Sequence, residues 1–211
     1  MIPMFLSFPL AENTPAYGGE TGSVSFRRIR SISNGDNSNN LVPQFPNHIG
    51  THIDFPYHFN NDGKTCDAYP ASFWVFNKVG FLACSVEELP QKIYALPADI
   101  ELLILITSFG AKRHEEVYWA AQPVIPASLA RILREAFPQL RVFGFDMISL
   151  TSKLDRAEGK KAHIAFLLEH EILVLEDMKL DELETTPSVV IILPLQIMGA
   201  DGAPCSIIAN Q

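Results

Sequence analysis

The sequence predicts a single mixed α/β or α+β domain, richer in strand than in helix, and three observations carry that expectation. Short apolar runs at Val79–Cys84, Leu102–Ile106, Val142–Phe145 and Val189–Leu193 have the length and composition of buried strands. Only two stretches show an apolar stripe at helical spacing. The 211 residues, 47% hydrophobic and 19% charged, suffice for one sizeable core and give no reason for two, so one domain over 1–211 is expected.

Taken in order, residues 1–22 carry Pro3, Pro9, Pro15 and Gly18-Gly19 and read as extended or looped chain. Val24–Ile32 mixes apolar and basic residues with partial alternation, the pattern of a half-exposed strand. Asn34–Asn40 and Asn60–Lys64 are polar turns. Pro126–Phe137 reads as a helix, with proline in its first turn and a stripe at Leu129, Ile132, Leu133 and Ala136. A second helix is expected over about 161–169, and Ile172–Leu175 is a further apolar segment. No internal repeat, low-complexity tract or linker interrupts the chain.

Composition narrows the function classes. A net charge of -8 argues against nucleic acid, since phosphate binding wants a basic face. No apolar run approaches the roughly 18 residues that span a bilayer, so no membrane partner is expected. Met1–Leu10 is apolar but lacks the basic flank and small-residue cleavage site of a secretory signal. Cys66, Cys84 and Cys205 are odd in number and far apart, which suits neither a disulfide framework nor a C-x-x-C zinc site. A cytoplasmic location is the expectation.

The chemistry concentrates in Asn47–His58. His48, His52, Asp54 and His58 are separated by even steps, so a helix would split them while an extended chain would present all four on one face. Gly50 and Pro56 oppose a helix, and Thr51 and Ile53 are stiff β-branched residues. Any one of these histidines alone suits a core or surface position. Three of the chain's six beside a carboxylate are costly to bury without a use. Imidazole nitrogen and carboxylate oxygen are the ligand set of zinc and its first-row neighbours.

Other polar residues are more ambiguous. Asp146 and Ser149 follow a buried strand and suit either a pocket wall or a turn. His163 on the second helix suits a solvent-facing ring, and spacing does not single out Glu176 from Glu169, Glu171 or Asp177. His114, in the charged run Lys112–Glu116, and His170, between two glutamates, read as exposed.

These residues resemble a known family. His48-x-Gly50-Thr51-His52-x-Asp54-x-Pro56-x-His58 is similar to the H-x-G-T-H-x-D-x-P-x-H pattern of the metal-dependent cyclase/hydrolase family, which includes bacterial kynurenine formamidase and isatin hydrolase. Thr14–Tyr17, Tyr118–Pro123, Gly144-Phe145-Asp146-x-x-Ser149, Ala162-His163, Glu176–Leu180 and Pro194–Pro204 resemble further segments, so the likeness covers nearly the whole chain. It departs at Ser206, near where many members carry arginine, and in lacking a tryptophan between residues 16 and 47.

The resemblance implies an α/β fold with a β-barrel-like core flanked by helices, assembled as a homodimer or homotetramer. It makes His48, His52 and Asp54 ligands of a first metal, and His163 and Glu176 ligands completing a second position, with one or two divalent ions per chain. Zinc is expected first and manganese second. His58 becomes the general acid/base, and Tyr17 and Phe45 become candidate substrate contacts. The implied activity is hydrolysis of a small amide, formamide or lactam by a metal-activated water. The alternatives are a metal-dependent lyase or cyclising dehydratase, and a non-catalytic metal-dependent binder of small molecules.

Overall fold

A computed structural model describes residues 3–210. The strands are β1 (Pro3–Phe5), β2 (Ser25–Arg30), β3 (Asn40–Gln44), β4 (His52–Asp54), β5 (Val75–Phe76) and β6 (Val79–Ala83), then β7 (Leu102–Ile106), β8 (Val142–Phe145), β9 (Leu173–Glu176), β10 (Val189–Pro194) and β11 (Gly202–Asn210). The helices are α1 (Leu89–Lys92), α2 (Glu116–Ala120), α3 (Ser128–Ala136) and α4 (Arg156–Ile164), and α4 continues as a π-helical turn over Ala165–Glu169.

The expected apolar runs become β6, β7, β8 and β10, and Leu173–Glu176 becomes β9. β6, β7, β8 and β9 pair in parallel; the interior residues of β7, β8 and β9 are buried because helices and loops cover both faces, while Phe81 and Leu82 of β6, at the end of the sheet path, are half-buried. From β9 the path turns antiparallel through β4, β11, β10 and β5. Its two ends, β5 and β6, are separated in the chain only by Asn77 and Lys78. The result is a mixed α/β domain around a nearly closed, barrel-like sheet. β2 and β3 form a separate two-stranded hairpin.

α3 presents the expected stripe: Leu129 and Leu133 are buried, while Ile132 and Ala136 pack partly buried on the same core. Burying each leucine stabilises the fold by about 1.5–3 kcal/mol. No helix among the described residues is long and apolar enough to cross a membrane.

Some of these readings need correction or completion. Residues 3–5, expected as extended or looped chain, form β1, because the end of β11 offers an open edge that pairs with them (Met4 with Ala209); Met1 and Ile2 lie outside the described residues. The second helix starts at Arg156, five residues earlier than expected, because the Asp155 carboxylate caps it by accepting the Glu158 N–H at 2.9 Å. β11, the longest strand, was not legible: Gly202, Pro204, Cys205 and Ser206 lack the composition of a strand. The charged run at 112–116 is exposed at His114, but Arg113 within it is buried and paired with Asp177. His170, also expected on the surface, is half-buried.

Candidate metal centre

The 48–58 segment is not one extended row. Only His52–Asp54 is strand; Gly50, at φ +61°, turns the chain ahead of it, and Pro56–His58 is a single 3-10 turn. The left-handed φ favours glycine, and a Cβ there would also meet Leu10 Cδ2 at 2.8 Å. The four side chains nevertheless converge, because each turn folds its histidine back toward β4. His48 and His58 stack with ring centroids 4.0 Å apart, and His48 Nδ1 lies 2.8 Å from Asp54 Oδ1.

β9 adds the next carboxylate. His52 and Glu176 are register partners, with Nε2 and Oε2 at 3.3 Å. Glu176 Oε1 accepts from Leu150 N at 2.6 Å and from Ser149 Oγ at 3.3 Å, which orients the carboxylate from the β8 side. Glu169 and Glu171 are exposed, and Asp177 turns away to Arg113. Of the two readings open for the residues after β8, Ser149 faces this site, whereas Asp146 serves a turn, accepting from Thr107 N and Oγ1 at 2.8 and 2.6 Å.

His163, which spacing alone would put on solvent, is buried at 3% exposure, because the apolar-flanked end of α4 packs inward. Its Nε2 stands 3.3 Å from Asp54 Oδ2 and 3.6 Å from Glu176 Oε1. His52 and His163 direct Nδ1 to backbone carbonyls, of Gly50 at 2.8 Å and Gly159 at 2.9 Å. Such contacts fix the tautomer and turn each Nε2 toward the carboxylates.

The electrostatics fit a cation. Burial opposes charge on Asp54 and Glu176, yet hydrogen bonds from His163, His48 and His52 hold both below the usual carboxylate range. Burial also opposes charge on the imidazoles, but the carboxylates outweigh it. Asp54 and Asp201 raise His48 to about 9, Asp54 and Glu176 raise His163 to about 10, and His52 is raised too. Two buried carboxylates thus draw positive charge to one place, and a divalent ion supplies that charge directly. His52, Asp54 and Glu176 each offer a ligand atom within 4.8 Å of the others, as do His48, Asp54 and His58.

One residue of the cluster had no expected role. Asp201, just before β11, places Oδ2 at 3.0 Å from His48 Nε2 and 3.1 Å from His58 Nδ1. Its place in the Gly-Ala-Asp-Gly segment was the only signal that could have found it. The donors line a cavity of about 190 Å³ whose remaining wall includes Pro15, Tyr17, Ile49 and Ile148. The Tyr17 hydroxyl is buried without a hydrogen-bond partner among the described residues. Phe45 is not in this wall; it packs against Ala16, Val24 and Ile49 and borders a different surface groove.

Comparison with known proteins agrees with this architecture. A kynurenine formamidase of Bacillus cereus is 30% identical over 202 residues, covering 94% of this chain and 92% of that protein. One of Bacillus anthracis is 32% identical over 162 residues, covering 74% and 73%. The structure of isatin hydrolase A from Labrenzia aggregata bound to benzyl benzoate superposes with a TM-score of 0.82 at 20% identity, over 99% of this chain and 93% of that one. A family model described as putative cyclase matches residues 4–151, which hold β4, the 3-10 turn after it and the residues that brace Glu176. On the extent of these matches, the chain belongs to the cyclase family.

Proposed function

We propose that this protein hydrolyses the C–N bond of a small amide, formamide or lactam, with a divalent ion held by His48, His52, Asp54, His163 and Glu176. The observation that carries this reading is the convergence of His48, His52 and His163 on the buried carboxylates of Asp54 and Glu176, at 2.8–3.3 Å, in the wall of one cavity. Zinc leads, manganese is second, and Asp54, which belongs to both donor groups, suits one ion or two.

When bound, a divalent ion supplies Lewis acidity, polarising a carbonyl and lowering the pKa of water from about 16 toward 7. The chain's own residues do the rest. His58 directs Nδ1 to Asp201, and burial lowers its pKa below 6.5, so its ring is neutral at pH 7 and acts as a base. It takes a proton from the attacking water and returns it to the leaving nitrogen. Ser149 and Leu150 keep Glu176 in place through the reaction. The unpartnered Tyr17 hydroxyl is the donor offered to a polar group of the substrate. A cavity of about 190 Å³ holds one aromatic ring with a short appendage, because about 150 Å³ already accommodates benzene.

The same reading places the protein in the cytoplasm, as one domain and as a homodimer or homotetramer. Three free cysteines suit a reducing compartment. The hairpin β2–β3 exposes Ile29 and Leu41 beside Arg27, Arg28 and Arg30, in a chain of net charge -8, which suits contact with a second copy. The deciding experiment is elemental analysis of protein purified without added metal, followed by N-formylkynurenine, aryl formamides and isatin with Zn²⁺ and with Mn²⁺. Acid and amine products support the proposal. A dehydrated product would replace it with a lyase, and binding without product would replace it with a binder.

A further inference from the structure

We propose that Asp201 is a positioning residue that fixes the tautomers of His48 and His58 together, so that His48 presents Nδ1 to the cation and His58 presents Nε2 to the reacting water. The inference rests on the proposed hydrolytic reading for its catalytic consequence, but its geometry stands on its own. A single oxygen, Asp201 Oδ2, lies 3.0 Å from His48 Nε2 and 3.1 Å from His58 Nδ1. A carboxylate oxygen only accepts hydrogen bonds, so both nitrogens must carry hydrogen. In a neutral His58 that leaves Nε2 bare, which is the form a base requires.

The carboxylate is itself held. Its Oδ1 accepts from Asn47 Nδ2 at 3.0 Å, and the Asp201 carbonyl accepts from Phe55 N at 2.9 Å. Residue 201 therefore sits between the residues flanking His48 and the strand leading to His58, next to the pairing of Gly202 with Asp54. The two rings it serves are already stacked at 32°, so one anchor sets the orientation of both. His48 faces a carboxylate on each side, Asp201 at Nε2 and Asp54 Oδ1 at 2.8 Å from Nδ1, so the metal-free ring carries both hydrogens and a cation would displace the one on Nδ1, the nitrogen Asp201 does not hold. Imidazoles free in water favour the Nε2–H tautomer, so His58 needs such an acceptor to hold the other one.

The test is histidine ¹⁵N NMR on the metal-free protein above neutral pH, where His58 is uncharged, for wild type and Asp201→Asn. We expect wild-type His58 to carry its proton on Nδ1, and the near-isosteric Asp201→Asn to shift it toward Nε2. In the metal-loaded enzyme acting on an aryl formamide, kcat should fall about 10- to 100-fold with KM little changed. Added to His58→Ala, Asp201→Asn should cost much less kcat than it does alone, the remainder being what it contributes through His48, a coupling that a merely structural role would not produce. A proton on Nε2 in the wild type, or an unchanged His58 tautomer in Asp201→Asn, overturns the proposal. The wild-type spectrum decides even if the variant does not fold. If wild type hydrolyses no amide, the hydrolase reading falls while the tautomer still decides Asp201.

Discussion

His52 and Glu176 face each other as register partners across the antiparallel pair β4–β9, with Nε2 and Oε2 3.3 Å apart. Two residues far apart in the chain are thereby placed on one wall of the cavity by backbone pairing. His52→Ala removes a donor and leaves Asp54 and Glu176 with less compensation. Metal affinity should weaken at least about tenfold, a loss of about 1.4 kcal/mol or more in binding, and co-purified metal should fall with it. Elemental analysis checks it, and unchanged metal content would remove His52 from the ligand set.

His58→Ala should separate binding from turnover. The ring is the most exposed of the four histidines in the cavity and has Asp201 as its partner, so metal content should hold while kcat drops about 10²- to 10⁴-fold. Loss of metal in this variant would instead make His58 a ligand.

Gly202→Ala tests how tightly His48 is seated. A Cβ at residue 202 would collide with the His48 ring, whose Nδ1 and Nε2 would both lie 2.8 Å from it. With the ring displaced, metal affinity should weaken about tenfold or more, while far-UV circular dichroism stays native. Isothermal titration with Zn²⁺ gives the answer, and wild-type affinity would mean that the ring moves freely.

The metal-free protein should lose stability as pH rises. His48 and His163 have folded pKa values of about 9 and about 10, above the 6.5 of an unperturbed imidazole. Folding therefore binds protons there: the stabilisation is fully present below about pH 6.5 and disappears as pH climbs through 9 and 10. Melting temperature measured across that range after chelation should decline, and saturating metal should flatten the decline. A flat profile in the metal-free protein would contradict the proposed proton occupancy.

Arg113→Met should destabilise without touching a proposed ligand. Arg113 pairs with Asp177 through contacts of 2.7–3.1 Å, stacks 3.9 Å from the Phe8 ring centroid, and shares Asp177 with the Tyr118 hydroxyl. Removing the cation leaves a buried carboxylate, at a cost of about 3–5 kcal/mol. Thr51 Oγ1 donates to the Asp177 carbonyl at 2.6 Å, so the loss should also loosen the strand that carries His52. Urea denaturation measures it; a change below about 1 kcal/mol would mean that water reaches Asp177.

The amino-acid sequence by itself determined the elements whose pattern is complete within a few neighbours. The apolar runs that became β7, β8 and β10, the stripe of α3, and the chemical identity of the 48–58 donors are all written in consecutive residues. Tertiary structure alone decided which distant groups joined them: Glu176 rather than Asp177, His163 turned inward, Asp201 between two imidazoles, Arg113 buried within a charged run, and Phe45 kept out of the cavity. Secondary structure follows from side-chain periodicity along the chain. The burial and partners of an ionisable group depend on what packs against it from elsewhere, and that is set only when β4, β9 and β11 pair.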